Sequence, residues 1–69
     1  MVYWTMEKEE LIRKLEQSPG KNFVEDGYFY GYALIKRATG EETTAIVRKP
    51  VGAKYRECEV LYYAPEIKL

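Results

Sequence analysis

Between Tyr28 and Ile35 the chain reads YFYGYALI, and no other stretch limits the possible folds as tightly. A run so dense in aromatic and aliphatic residues is a strand signal, and along a strand successive side chains point to opposite faces. One alternating set is Phe29, Gly31, Ala33 and Ile35; the other is Tyr28, Tyr30, Tyr32 and Leu34. Both sets are apolar. A sheet built on this strand has two faces that avoid water, and the rest of the chain must cover each of them or leave one to a partner.

Cover is scarce in 69 residues, a length that predicts one small domain over residues 1–69 with a modest buried fraction. A single segment carries helical spacing, TMEKEELIRKLEQSPG. Thr5 is placed to cap free amides, Glu7, Glu9 and Glu10 favour the positive end, and Ser18-Pro19-Gly20 stops the helix, which is expected near residues 5 to 17. Leu11, Leu15 and Ile12, with Trp4 or Met6 a turn or two earlier, form its apolar stripe. Glu9 with Arg13 and Glu10 with Lys14 sit four apart on the outer side. Val2, Tyr3 and Trp4 can form a short N-terminal strand or an arm packed on the helix.

After Gly27 the period changes to two. A first strand, roughly Tyr28 to Arg37, ends at ATGEE, where Gly40 can take the left-handed backbone of a three-residue hairpin loop. That register sets Lys36 opposite Glu42 and Arg37 opposite Glu41, two opposite-charge pairs. ETTAIVRK is the second strand, Pro50-Val51-Gly52 is a turn, and a third strand runs roughly from Lys54 to Tyr63, before Pro65. The expected fold class is α+β: one N-terminal helix on a three-stranded antiparallel meander. Asn22 to Gly27, with its Asp26-Gly27 turn, is read as the connection from helix to sheet.

The small residues Gly31 and Ala33 leave room for a helix to approach closely, so the helix is expected on the face of Phe29, Gly31, Ala33 and Ile35, joined by Ala45, Val47, Cys58, Val60 and Tyr62. Tyrosine hydroxyls need water or a partner, which sends the other set outward. That reading makes Tyr28, Tyr30, Tyr32, Ile46, Leu61 and Tyr63 the candidate partner-binding residues of a non-catalytic interaction module, which pairs with a second copy of itself or with another protein. The competing arrangement puts the helix on the tyrosines, or folds Val2, Trp4, Ile67 and Leu69 over them.

Arginine plus lysine equals aspartate plus glutamate, giving zero formal net charge and no long-range field to draw in a polyanion. A local basic cluster exists nonetheless. Arg48, Lys49, Lys54 and Arg56 flank the second turn with Tyr55 among them, the mix of cations and a stacking ring that an alternative nucleic-acid-binding domain would use. A solvated hairpin tip has the same composition. Glu57 and Glu59 lie two apart and would share a strand face, but the chain has no histidine to accompany them as base or ligand. Cys58 likewise lacks an activating neighbour and reads as a small packing residue. The chain therefore reads as not an enzyme, with no catalytic, metal or cofactor site. No run approaches the length of a membrane span, and MVYWTMEKEE lacks the basic and apolar regions of a signal peptide, so no membrane association and a cytoplasmic setting are expected.

Overall fold

The computed structural model describes residues 6–69. A helix α1 (Lys8–Gln17) is followed by a single 3-10 turn (Pro19–Lys21) and four strands, β1 (Phe23–Glu25), β2 (Tyr28–Lys36), β3 (Glu42–Pro50) and β4 (Glu59–Tyr63), with a second 3-10 turn (Tyr55–Glu57) before β4. The strands form one antiparallel sheet in the order β1-β2-β3-β4. Glu9 and Glu10 occupy the first turn of α1, where the helix dipole favours them. Ser18 ends it, with its hydroxyl donating to the Lys14 carbonyl at 2.6 Å. The expected cap Thr5 and the N-terminal segment Val2–Trp4 lie outside the described residues. No helix among the described residues is long and apolar enough to cross a membrane.

The fourth strand corrects the expected meander of three. Asp26 and Gly27 both take positive φ, 54° and 81°, which is the pattern of a two-residue type I′ hairpin. Phe23, Val24 and Glu25 thereby pair with Tyr30, Phe29 and Tyr28 instead of forming a loose connection. The β2–β3 hairpin has the expected register: Lys36 faces Glu42, and the Arg37 amide donates to the Glu41 carbonyl at 2.8 Å. Gly40 closes it at φ 90°. Past Pro50 the chain turns through Gly52, also at positive φ, but Tyr55 to Glu57 coil into a 3-10 turn, so β4 begins at Glu59 and not near Lys54. Within β4, Val60 pairs with Val47 and Tyr62 with Ile46, which leaves Leu61 as the extra residue of a bulge.

The helix covers the opposite face from the one expected. Leu11 and Leu15, both fully buried, pack with Tyr30, Ile46, Met6 and Ala64, and Tyr28, Tyr32, Leu61 and Tyr62 close around them. The room at Gly31 is filled from within β2: the Phe29 ring leans across it, so that a Cβ at residue 31 would meet Phe29 Cε1 at 3.2 Å. The narrow stripe of a ten-residue helix is met by large rings, not by small residues. Nor do the tyrosine hydroxyls go unpaired. Tyr62 donates to the Met6 carbonyl at 2.8 Å and Tyr32 to Glu16 at 3.0 Å, both at the helix margin, and no buried side-chain nitrogen or oxygen among the described residues lacks a partner. The Phe23 ring stacks on Tyr30 with centroids 4.8 Å apart. The C-terminal segment finishes this side, with the Ala64 amide on the Thr44 carbonyl, the Thr44 hydroxyl on the Ile67 carbonyl, and Glu66 3.1 Å from Lys8.

Candidate functional site

The sheet face away from α1 is set by the same registers. Val24 on β1, Phe29 to Ile35 at alternate positions on β2, Thr43 to Lys49 at alternate positions on β3, and Val60 and Tyr63 on β4 all point there. Val24 is 60% exposed, Val60 39% and Tyr63 44%. Along these strand positions Lys49 carries the only charge and there is no carboxylate. β3 is nonetheless well enclosed, because its neighbours' side chains lean over it. Arg37, one residue past β2 and on the Ile35 side by alternation, places its guanidinium 4.9 Å from the Tyr63 ring centroid on β4. Such a contact spans β3, on which Thr43 and Ala45 are buried.

At the other end Lys49 sits over two rings, 5.4 Å from the Phe29 centroid and 5.6 Å from that of Tyr55, while donating to the Ala53 carbonyl at 2.8 Å. The 3-10 turn explains this placement of Tyr55: it brings the ring back over the face, although 75% of the residue stays exposed. Between Phe29 and Tyr55 lies a trough of about 410 Å³ whose floor is Gly31, Ala33 and Val47. Lys21, Asn22, Lys68 and Leu69 border it, and no aspartate or glutamate lines it.

The sequence-derived partner-binding set is divided by this geometry. Tyr28, Tyr30, Tyr32, Ile46 and Leu61 belong to the core beneath or beside α1, with Tyr30 and Ile46 buried, and this corrects their expected outward placement. Tyr63 alone of the six lies on the helix-free face. Of the residues expected to share its face with a helix, Tyr62 turns to the helix side because of the bulge, and Cys58 precedes β4, half-buried with a free thiol.

The basic set is divided as well. Arg48 faces the helix side, stacked at 4.6 Å on Tyr28 and 3.0 Å from Glu59, which together with the Tyr30 hydroxyl holds it above the ordinary arginine range. Lys49 and Tyr55 belong to the trough end of the open face, and Lys54 and Arg56 flank Tyr55 in the exposed turn. Glu57 and Glu59 do not form a pair on one strand: Glu57 accepts from the Lys54 amide at 3.4 Å within the 3-10 turn, while Glu59 is held by Arg48. No group of three metal-ligating side chains occurs among the described residues. No protein-family model, curated protein or solved structure matches the chain.

Proposed function

We propose that the protein is a non-catalytic interaction module whose working surface is the sheet face opposite α1. One observation carries this reading: a four-stranded sheet presents apolar side chains on both faces, and among the described residues α1 packs on one of them only. The other keeps Val24, Val60, Tyr63 and Tyr55 in contact with solvent around a shallow trough, a concentration of apolar and aromatic surface of the kind that partners cover. The occupant is a macromolecule. A non-catalytic role fits a trough bordered by lysines, an asparagine and rings, in a chain without histidine. A cytoplasmic setting fits the lone thiol of Cys58.

A photo-crosslinking side chain at Val60, compared with the same group at Arg13 on the exposed side of α1, tests this in cells that express the chain. A discrete adduct from residue 60 and none from residue 13 is expected. Adducts from residue 13 alone would move the working surface to the helix.

A further inference from the structure

Most carboxylates lie on the helix side of the sheet, while Glu41, across from Arg37, falls on the helix-free side by the alternation of β3. Glu7, Glu9, Glu10 and Glu16 belong to α1 or its cap, Glu25, Glu42 and Glu59 occupy strand positions that face it, and Glu66 pairs with Lys8. Several cations on the helix side pair with carboxylates: Lys14 lies 2.6 Å from Glu25, whose hydrogen bond holds the ammonium above its usual range, Arg48 lies 3.0 Å from Glu59, and Lys21, at the border of the trough, reaches Glu16 at 3.4 Å. On the helix-free side the cations rest on rings. Arg37, across the hairpin from Glu41, is stacked on Tyr63, and Lys49 sits over Phe29 and Tyr55. A ring holds a cation in place without cancelling its charge. Lys68, at the trough, has no carboxylate partner among the described residues, and the nearby Glu57 is turned back onto the Lys54 amide.

A face of this composition suits a polyanion that also carries flat apolar rings. We propose that the helix-free face binds single-stranded nucleic acid, with Phe29 and Tyr55 as stacking surfaces for bases and Lys49, Lys68 and Arg37 as partners of phosphates. This rests on the reading of that face as the working surface, and it names the occupant. The Phe29 ring leans across Gly31 and borders the trough beside Ala33, and Tyr63 with Arg37 supplies a second aromatic and cationic station. The two stations are separated by four residues of β3, Lys49 to Ala45, or roughly 13 Å at the usual strand rise. Unstacked bases can reach both; a duplex keeps its base faces inside its own stack. A second copy is disfavoured by the same charges, since two such faces set together would oppose their own uncompensated cations.

Fluorescence anisotropy of labelled oligo(dT) and oligo(U) of about twelve nucleotides, with a duplex of equal length, tests the proposal. Both single strands are expected to bind more tightly than the duplex; a tighter oligo(U) would add a contact to the 2′-hydroxyl, and equal affinities would assign recognition to bases and phosphates. With about three phosphates neutralised, affinity should fall roughly 20-fold between 50 and 200 mM salt. Tyr55→Ala, at an exposed position, should weaken binding at least about fivefold while leaving the thermal melt in place, and Arg13→Ala should change nothing. Absence of single-strand binding at low salt, equal binding to the duplex, or indifference to Tyr55→Ala overturns the proposal. If it is overturned while the Val60 crosslink persists, the working surface stands and its occupant is a protein; loss of both removes the surface itself.

Discussion

Replacing Tyr30 with serine should remove most of the stability of the fold. Tyr30 is 7% exposed, is stacked on Phe23, and lies in the same cluster as Leu11, Leu15 and Ile46. A buried aromatic side chain takes about 150–250 Å² out of water, worth about 4–6 kcal/mol at roughly 25 cal/mol per Å². Large-to-small aromatic substitutions in cores cost about 3–5 kcal/mol. Against this, a chain of 69 residues has a total stability of about 3.5–10 kcal/mol. Urea titration followed by circular dichroism should therefore show Tyr30→Ser unfolded, or with its midpoint lowered by more than about 1 M. Ala33→Glu is the matched comparison, since Ala33 is half-buried on the helix-free face and a carboxylate there can reach water. It should cost less than about 1.5 kcal/mol. A well-folded Tyr30→Ser together with an unfolded Ala33→Glu would place the helix on the other face.

Leu15→Ala should cost about 3–5 kcal/mol by leaving a cavity under the fully buried centre of α1, measurable in the same titration; a loss below 1 kcal/mol would contradict that burial. Gly40→Ala should cost about 1 kcal/mol because the residue holds φ 90°, although nothing crowds a Cβ there, so an unchanged midpoint would mean a different loop. Burial and the hydrogen bond to Glu16 push the Tyr32 hydroxyl up from 10.0 to about 12. Its folded value lies above the unfolded one, so this contribution to stability is complete below pH 10 and is lost as pH rises through 12. An ultraviolet titration of wild type minus Tyr32→Phe should show the tyrosinate step near 12, and a step near 10 would mean that the ring is free.

How much of this is legible in the residues depends on how local the signal is. The helix, its stop at Ser18, and the β2–β3 register follow from spacing, from Gly40 and from the Lys36–Glu42 pair, all short-range features. The Asp26-Gly27 hairpin is equally local, and the apolar residues Phe23 and Val24 before it are the signal that marks β1. The face chosen by the helix is different in kind. Alternation in YFYGYALI sorts side chains into two sets without ranking them, and the choice is made by contacts between distant residues: Tyr62 with Met6, Thr44 with Ile67, Tyr32 with Glu16. The bulge at Leu61 depends on the same packing and has no glycine or proline to announce it. The candidate site inherits both effects. Lys49 and Tyr55 remain together, but Arg48, their neighbour in sequence, points through the sheet to Glu59, and Phe29 joins them only because the helix lies elsewhere.

Nuclear Overhauser contacts of the Leu15 methyl groups test most directly whether α1 lies on the tyrosine face and leaves the other free. Contacts from these methyls to the Tyr30 ring and Ile46 are expected, with none to the Phe29 ring or Val47. Contacts to Phe29 and Val47 in place of Tyr30 and Ile46 would contradict that placement.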